Sequence, residues 1–454
     1  MDRHSRGARL ARRAALSPRL SEPRRLLLLP VLVLSLVVVA CTGDAPPVLT
    51  FSGSALGVEA EVVRAQLQRF AARHPGTTVE IRTTPDAADQ RHQLYVQWLN
   101  GGATEPDVLQ LDTIWPAEFA AAGWIHPLAS FAPDTTAFFP AAVAAGQWEE
   151  RLYALPWFVD AGLLYWRTDL LPSAPETLAA LRTAARAAAG EDGVRYGFVW
   201  QGARYEGLVT VFLEYLDGFG GAILDAAGQV AVASPESVEA LSFMVDMVRL
   251  DGSVPAEALT WQEEQSRFAF QNGDAALMRN WPYAWPLLQS PGSAVAGRVA
   301  VAPFPTRSPA RRTATLGGSL LAINARSREP QLAWALVDFL TQPEQMLERA
   351  RLAGQLPARR TLYEEPALAD ALALPIVELQ AALDAAVPRP TSPVYSELSE
   401  ILQVRLHRAL SGQQTPRAAL EAARDEMQAV LARSGLTGTG ARTTTTSHDA
   451  VGIR

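Results

Sequence analysis

The sequence predicts an α/β fold, because strand and helix patterns alternate along most of its 454 residues. Residues 48–51, 79–81 and 107–111 have the apolar or alternating composition of strands. Between them, residues 59–73 and a segment around residues 94–99 place apolar side chains on one helical face. This β-α-β-α order indicates a mostly parallel sheet with helices on both faces.

The alternation continues with a different connectivity after residue 158. Ser234 and Pro235 form a good helix start, with Ser as the N-cap and Pro at the first helical position. Beyond residue 328 the chain is nearly all helical, with starts near Glu329, Pro343, Val394 and Pro416. Four further segments have strand patterns: residues 162–166, 197–200, 275–278 and 299–302.

The N-terminus has the features of a bacterial export signal. Residues 1–25 carry eight arginines and two acids, and an apolar run from Leu26 to Ala40 follows them. This run is shorter than the ~20 residues that a membrane-spanning helix needs, and it has the length of a secretory apolar region. The sequence Val-Val-Ala-Cys at residues 38–41 resembles a lipobox, in which small residues precede a lipidated Cys. We expect residues 1–40 to be a lipoprotein signal peptide, although an ordinary signal peptide or anchor would share most of these features.

The charged residues of the chain limit the kinds of molecule that it is expected to bind. The basic residues are all Arg, and the absence of Lys excludes a Walker A phosphate loop and Lys Schiff-base chemistry. The net charge is −7, and it becomes −13 without residues 1–40, which carry eight arginines and two acids. A mature chain this acidic is a poor partner for nucleic acid or anionic lipid. We therefore expect no nucleic-acid partner, and membrane attachment only through a lipid on Cys41.

Common catalytic motifs are missing from the sequence. It contains no HExxH, GxSxG or CxxC motif, and its six histidines are too dispersed to suggest a metal site. The single Cys excludes an intrachain disulfide. We therefore predict neither catalytic residues nor a metal or cofactor.

Aromatic residues cluster in the segment Asn280–Pro286, where Trp281, Tyr283 and Trp285 alternate with other residues. Its two prolines disfavour the interior of a strand or helix, so we expect a rigid loop at a cleft. Aromatic rings offer flat faces to the C–H surfaces of sugars. Such a cluster is also common in hydrophobic cores.

Three acids follow strand patterns: Glu59, Asp112 and Asp160. Ligands of open α/β sheets bind at the carboxyl ends of strands, and ionised carboxylates accept hydrogen bonds from sugar hydroxyls. An acid in this position can instead be a helix N-cap. Similarly, Gly317-Gly318 would let the backbone approach a ligand closely, or would form a turn.

Taken together, these segments resemble the extracellular solute-binding protein family of ABC importers, and most of all its trehalose/maltose-binding branch. The resemblance runs from about residue 48 to 433. It is carried by PDV (106–108), LD with Trp115 (111–115), AGW (122–124), LPWFVDAGLLY (155–165), GFVWQG (197–202), YEGL (205–208), RNWPYAW (279–285), ATLGG (314–318) and AVPRP (386–390).

The resemblance implies an α/β, two-lobe periplasmic-binding-protein fold of the maltose-binding type (type II), with a ligand cleft between lobes joined by hinge crossings. Lobe I would comprise residues 45–158 plus 305–360, and lobe II residues 159–304 plus 361–434. Residues 41–47 would be the lipidated N-terminus and linker. Residues 435–454, rich in Gly and Thr, would be a disordered tail.

The resemblance also assigns roles to individual residues. One position departs from the family pattern, because Ser319 stands where relatives are expected to carry Trp. The implied ligand-binding residues are Glu59, Arg91 and Asp112 from lobe I, Asp160 at the hinge, Trp281 and Tyr283 as stacking and hydrogen-bonding groups from lobe II, the Gly317-Gly318 backbone, and Arg389 closing over the ligand.

The function implied is capture of an α-linked disaccharide, such as trehalose or maltose, by hinge closure and its delivery to the permease subunits of an ABC importer. We expect a non-enzymatic monomer held by its lipid at the outer face of the cytoplasmic membrane. One alternative is the same fold binding another oligosaccharide, a polyol or a glycerophosphodiester. An alternative of another class is a secreted glycoside hydrolase, since those enzymes also place paired carboxylates beside aromatic rings.

Overall fold

The computed structural model describes residues 47–54, 58–191, 193–372 and 375–436. The expected signal peptide, the lipidation site Cys41 and residues 437–454 of the expected tail lie outside these ranges. The strands of the described chain are β1 (Val48–Gly53), β2 (Thr78–Thr83), β3 (Val108–Asp112), β4 (Gln147–Trp148), β5 (Arg151–Leu152), β6 (Ala154–Ala161), β7 (Leu163–Arg167), β8 (Tyr196–Val199), β9 (Ala275–Asn280), β10 (Val299–Pro305), β11 (Arg312–Ile323), β12 (Leu356–Pro357) and β13 (Ala386–Val387).

Helices occupy most of the remaining chain. Short 3₁₀ helices cover Leu128–Phe131, Ala256–Thr260 and Arg360–Glu364. The α-helices are α1 (Glu59–Arg73), α2 (Ala88–Asn100), α3 (Pro116–Ala121), α4 (Pro140–Ala145), α5 (Leu178–Ala188), α6 (Glu206–Phe219), α7 (Pro235–Arg249), α8 (Glu263–Gln271), α9 (Ala284–Leu288), α10 (Pro330–Leu340), α11 (Pro343–Ala353), α12 (Pro366–Leu372), α13 (Ile376–Asp384), α14 (Tyr395–Leu410) and α15 (Pro416–Arg433).

The local patterns in the sequence predicted the positions of these helices and strands closely. Helix α1 has the predicted bounds, and α10, α11, α14 and α15 begin within one residue of their predicted starts. At the start of α7, the hydroxyl of Ser234 accepts a hydrogen bond from the Ser237 amide at 3.2 Å, which is the predicted N-cap. All the predicted strands are also present, with ends that differ by one to three residues.

The prediction of a mostly parallel sheet is wrong. The main sheet has the order β2-β1-β3-β11-β10-β7-β9-β8. Strand β1 pairs in parallel with β2 and β3, and β8 with β9, but β11 is antiparallel to β3, β6 and β10, and β7 is antiparallel to β9 and β10. Hydrophobic patterns locate a strand but carry no information about its direction, whereas the short connection 306–311 joins β10 and β11 as an antiparallel hairpin.

Strand β11 joins the two groups of strands. Near its start Thr313 pairs with Phe304 of β10, and near its end Ile323 pairs with Val108 of β3. Strand β6 runs antiparallel along the same part of β11, and it contains the break in pattern predicted near residue 158. These two long strands are the crossings of a two-lobe α/β fold, so the predicted fold class is confirmed.

Gly317 and Gly318 lie inside strand β11, so the alternative in which they form a turn is wrong. Gly318 has φ of +120°, and a Cβ there would lie 2.4 Å from the carbonyl oxygen of Phe158. Only glycine accommodates both constraints. The register of β11 against β6 shifts at the next residue, between Ser319 and Leu320, as in a β-bulge that re-aims the strand.

Helix α6 is apolar around most of its circumference and is buried accordingly. It packs against α7 and α14, and α15 packs on those two helices to complete the same core. Two glutamates, Glu206 and Glu214, are buried on this helix and need polar partners there. Both of them contribute to the site described below.

No single helix within the described ranges is long and apolar enough to cross a membrane. Helices α12 and α13, bent by 98° at the break between them, reach that length and composition only as a pair.

Candidate ligand-binding site

The register of the sheet brings two of the predicted acids together. Asp112, the last residue of β3, pairs with Ser319 on β11, and Asp160 on β6 pairs with Gly317 two positions earlier. Residues two apart on a strand share a face of the sheet. The crossing strand therefore aligns side chains from three different strands along one edge of a cavity.

All nine residues predicted to bind ligand line this single cavity, although they come from seven separate stretches of sequence. The cavity lies where β3, β6 and β11 meet the starts of α1 and α6 and the segment after β9. Its lining includes the predicted Glu59, Arg91, Asp112, Asp160, Trp281, Tyr283, Gly317, Gly318 and Arg389, and the unpredicted Ser54, Asp86, Ala88, Gln110, Phe158, Tyr205, Glu206, Gly207, Thr210, Glu263, Ser319, Ala353 and Gln355.

Glu59 is the most deeply buried of the predicted acids, and protein groups already surround its carboxylate. Its Oε1 accepts hydrogen bonds from Gln110 Nε2 at 3.3 Å, Arg349 Nη2 at 3.1 Å and Gln355 Nε2 at 3.0 Å. Its Oε2 accepts one from the hydroxyl of Ser54. Glu59 is the first residue of α1 rather than its N-cap, which is Val58. The Glu59 carboxylate therefore holds the surrounding polar side chains in place on this wall of the cavity.

Arg349, which the sequence analysis missed, is the cationic partner in this wall. It is 1% exposed, and its guanidinium lies 3.6 Å from the ring centre of Trp157 on β6. Burial lowers the pKa of Arg349 to about 10, against the opposing charge of Glu59. Arg349 lies on α11 beside Glu348 and close to Arg351, and nothing in this local sequence distinguishes a buried arginine from an exposed one.

Gln110 was also missed, although the sequence contained a usable signal. It lies two positions before Asp112 on β3, so strand alternation places both side chains on the same face. Its Nε2 donates to the hydroxyl of Ser319 at 3.0 Å as well as to Glu59. Ser319, the residue that departs from the family pattern, is thus buried and held by the polar wall of the cavity.

Asp160 differs from the other acids because its carboxylate makes no hydrogen bond or ion pair with any described residue. Burial and the negative charges of Glu59 and Asp112 raise its pKa well above the ordinary value of 3.8, although Arg279 and Arg349 oppose the shift. A carboxyl group in this state can accept hydrogen bonds from ligand hydroxyls, and it can donate one when protonated.

The Trp281 ring is held from below by a buried ion pair. The Arg279 guanidinium lies 4.0 Å from the ring centre and pairs with both carboxylate oxygens of Glu214, at 2.5 to 3.1 Å. The hydroxyl of Tyr165 donates to the Trp281 carbonyl oxygen at 2.8 Å. A Cβ at Gly317 would lie 3.1 Å from the indole ring. The glycine, the cation and the tyrosine together fix a half-buried aromatic face at the cavity.

Tyr283 lines the cavity, but its hydroxyl donates to Glu264 Oε1 at 2.8 Å. Burial, followed by the charge of Glu264, raises the pKa of this hydroxyl well above its ordinary value of 10.0. The prediction of a loop around Tyr283 is partly wrong, since helix α9 begins at Ala284 and includes Pro286. Proline is compatible with the first turn of a helix, where amide groups have no intrahelical partner.

Arg389 bridges the two sides of the cavity. Its Nη2 donates to Asp112 Oδ1 at 2.7 Å and to Thr113 Oγ1 at 2.8 Å, while Nη1 donates to Glu206 Oε1 at 2.9 Å. Glu206 also accepts a hydrogen bond from Tyr395 at 3.0 Å. This group is called the Arg389 bridge below.

The Arg389 bridge contains one guanidinium and two carboxyl groups, so its negative charges exceed its positive charge when both acids are ionised. Burial raises the pKa of Glu206 from 4.5 to about 7, and neighbouring Asp89 adds to the shift while Arg389 opposes it. Burial by itself would lower the pKa of Arg389, but Asp112 and Glu206 outweigh it and raise that pKa. The guanidinium therefore stays charged, and Glu206 is the group that takes up or releases a proton near neutral pH.

Arg91 projects from α2 into the same cavity. Its Nη1 donates to the carbonyl oxygens of Pro85 at 3.2 Å and Asp86 at 3.1 Å, and its guanidinium lies 5.2 Å from the ring centre of Trp115. The buried Nε of Arg91 and that of Arg389 have no partner among the described residues. Both arginines line the cavity, and each has a buried N–H donor that no described residue satisfies.

Comparison with known proteins gives a consistent result. The family model described as "Bacterial extracellular solute-binding protein" matches residues 57–347. A "Probable ABC transporter-binding protein" of Deinococcus radiodurans is 33% identical over 416 residues, which cover 89% of this chain and 98% of the relative.

Solved structures extend the similarity to the fold. The structure of maltose-bound MalE3 from T. maritima has 43% sequence identity and a TM-score of 0.81, covering 85% of this chain and 100% of that chain. A solute-binding protein from Thermotoga lettingae, bound to α-D-tagatose, has 25% identity and a TM-score of 0.77, again covering 85% of this chain and 100% of the other.

Proposed function

The chain belongs to the bacterial extracellular solute-binding protein family, as the substrate-binding component of an ABC sugar importer, and on that premise we propose that its ligand is an α-linked disaccharide of the trehalose or maltose type. The observation that carries this proposal is that the Asp160 carboxyl group, which has no partner in the described chain, lies beside the fixed aromatic face of Trp281. Asp160 has no partner among the described side chains, and Gly317 lies between its Cβ and the Trp281 ring. A sugar presents hydroxyl donors to the first and an apolar C–H face to the second.

The remaining cavity residues complete the contacts. Arg91 and Arg389 line the cavity and supply guanidinium donors, and Asp112 supplies a partly exposed acceptor at the end of β3. Glu59 and Tyr283 contribute oxygen atoms that already have protein partners, so a sugar would share those groups. The Gly317-Gly318 backbone lies close enough to bind a hydroxyl because no side chain covers it.

Binding proceeds by closure of two lobes about the β6 and β11 crossings, with the sugar enclosed between them. We assign residues 45–158 plus 305–360 to lobe I, and residues 159–304 plus 361–434 to lobe II. The Arg389 bridge supports this mechanism, because it links Asp112 of the first group to Glu206 of the second. Contacts that form only in the closed state are the ones that favour closure.

Delivery requires the closed protein to dock on the permease subunits of an ABC importer. We propose that the chain does so as a monomer, exported through residues 1–40 and held at the outer face of the cytoplasmic membrane by a lipid on Cys41. Labelling with a fatty-acid probe tests the anchor, since Cys41→Ser should abolish incorporation and release the protein from membranes.

A hydrolase that shares this cavity chemistry is the alternative of another class. Its specific support is the raised pKa of Asp160, which is a property of general acids. No His lines the described cavity, and the relatives above are described as binding proteins. Incubation with trehalose and with maltose separates the two functions, because release of glucose would identify a hydrolase.

The choice of sugar rests on the cavity wall that includes Ser319. A hydroxyl bonded to Gln110 occupies the position where relatives are expected to carry an aromatic ring, which favours a more polar subsite there. A different oligosaccharide, a polyol or a glycerophosphodiester remains the alternative ligand. A thermal-shift screen against trehalose, maltose, sucrose, palatinose and glucose ranks the sugars, since a specific ligand raises the melting temperature in a concentration-dependent way.

Two variants test the site itself by calorimetry with the best sugar of the screen. Asp160→Asn should weaken binding at least tenfold, because a charge-assisted hydrogen bond is worth about 1.5–3 kcal/mol. Trp281→Ala should weaken it by a similar factor, since it removes the stacking face. Glu239→Gln, in an exposed ion pair with Arg307, is the matched control and should change nothing. Unchanged affinity in both site variants would refute the assignment.

A further inference from the structure

A second concave surface adjoins the cavity. This outer groove is formed by α2 and α3 on one side and by α14 with the segment before α6 on the other. Its volume is about 600 Å³, against about 120 Å³ for the cavity. Side chains lining it include Gln93, Gln97, Trp115, Glu118, Glu400 and Gln403.

The groove offers the same chemistry as the cavity. Amide side chains supply both donors and acceptors, carboxylates supply acceptors, and Trp115 adds an aromatic ring. Glu118 spans the groove, because its Oε2 accepts from His92 Nε2 at 2.8 Å on α2 and from the Ser396 hydroxyl at 2.6 Å on α14. The groove therefore suits further hydroxylated rings and follows the same boundary between the lobes.

Only Tyr205 and Glu206 line both the cavity and the groove, so these two residues form the wall between them within the described chain. Glu206 is 3% exposed and is fixed from several directions. Its backbone amide donates to Asp89 Oδ2 at 3.1 Å, its Oε1 accepts from Arg389 and Tyr395, and its Oε2 accepts from Ser399.

The wall is completed by the guanidinium that Glu206 holds. Arg389 donates hydrogen bonds to Asp112 and Thr113 on one side of the cleft and to Glu206 on the other side. A chain of bonded atoms thus crosses the cleft at the end of the cavity nearest the groove. An oligosaccharide that fills the cavity cannot continue into the groove while this chain is intact.

We infer that Glu206 is a positioning residue that sets ligand length: by holding Arg389 across the cleft, it closes the end of the cavity and restricts the ligand to the units that the cavity holds, excluding longer α-linked oligosaccharides from the outer groove. This inference rests on the proposed function. It adds a specificity element to that function, because the same groove would accept a third sugar unit if the wall were removed.

The test compares trehalose, maltose and maltotriose by calorimetry on the full chain. The wild-type protein should bind its better disaccharide at least tenfold more tightly than maltotriose. Glu206→Ala should lower this preference at least tenfold, because it removes the Glu206 part of the wall and releases Arg389 from that side, leaving it paired with Asp112. Glu206→Ser serves as a second small substitution in case the alanine variant folds poorly, which the melting temperature and circular dichroism would reveal.

Two control variants distinguish wall removal from general damage. Glu206→Gln keeps the volume and an acceptor for Tyr395, so it should weaken all sugars together and leave the preference unchanged. Ser399→Ala removes one partner of Glu206 from the groove side and should also preserve the preference.

Each outcome decides the question. A lowered preference in the small variants alone supports the inference. Equal loss of both ligands in Glu206→Ala and Glu206→Ser, or a wild-type protein that binds maltotriose as tightly as the disaccharide, overturns it and leaves the proposed function standing. A wild-type protein that binds none of these sugars overturns both.

Discussion

Two buried arginines in this protein make similar ion pairs with different consequences. Arg279 on β9 pairs with Glu214 of α6, and both side chains are fully buried within one group of elements. Arg389 pairs with Glu206 of the same helix, but its second partner, Asp112, ends β3 on the other side of the cleft and is 17% exposed.

The two arginines also differ in how completely they are satisfied. Every guanidinium nitrogen of Arg279 donates to a protein acceptor, including Gln201 Oε1 at 3.1 Å. The Nε of Arg389 has no partner among the described residues, and its partner Glu206 has a pKa of about 7. The first pair is a fixed part of the fold that supports Trp281. The second is a contact between two sides of the cavity, and the charge of its glutamate changes near neutral pH.

The largest effect is expected from breaking the fixed pair. Glu214→Ala leaves the Arg279 charge buried without an opposite charge, and such removals cost about 3–5 kcal/mol of unfolding free energy. Denaturant unfolding followed by circular dichroism measures the loss. A loss below about 1 kcal/mol would mean that the pair is not buried as described and would erase the contrast with the bridge.

A smaller loss of stability is expected from breaking the bridge. Arg389→Ala should lower the unfolding free energy by about 1–3 kcal/mol, because Glu206 can become neutral by taking up a proton. The loss should be greater at pH 8 than at pH 5.5, since Glu206 is ionised only at the higher pH. Disaccharide affinity should nevertheless fall at least tenfold, which separates the binding role of this arginine from its role in stability. An equal loss at the two pH values would contradict the protonation of Glu206.

Glu206 itself should produce a pH dependence of stability with a defined sign. Its pKa is raised from 4.5 to about 7 in the folded protein, so between these values the folded state binds more protons than the unfolded state. This contribution to stability is complete below pH 4.5 and is lost as pH rises through 7. The difference in unfolding free energy between Glu206→Gln and wild type should therefore shift in favour of the variant between pH 4.5 and 7. A difference that is flat with pH would show that Glu206 titrates normally.

The smallest effect is expected from an exposed pair of the same chemistry. Glu239 pairs with Arg307 at 2.9 Å, and each side chain is more than half exposed. Glu239→Ala should change the unfolding free energy by less than about 1 kcal/mol, because solvent and salt screen exposed pairs. Measuring Glu239→Ala and Glu214→Ala in the same buffer shows how much burial changes the contribution of an Arg–Glu pair to the unfolding free energy.

Local sequence signals predicted most of the elements but only part of the site. Alternation and capping located β1, α1 and the Ser234 N-cap, because those features depend on neighbouring residues. The same rules could have identified Gln110 from its spacing to Asp112. They could not identify Arg349, which reaches Glu59 across 290 residues of chain, or Glu206, whose burial depends on packing of the whole α6 surface.

By itself, the sequence determined the α/β class, the positions of most helices and strands, and the residue types with which this protein can meet a sugar. The tertiary structure decided the direction of the strands, the use of Gly317-Gly318 as a crossing rather than a turn, and which acids have partners. Glu59 is enclosed, Asp112 is bridged to Arg389, and the Asp160 carboxylate has no partner within the described part of the chain, although all three follow strand patterns in the sequence. The physical reason is that periodicity and capping act within a few residues, whereas register, burial and charge pairing are set by segments that are distant in the chain and meet only in the folded protein.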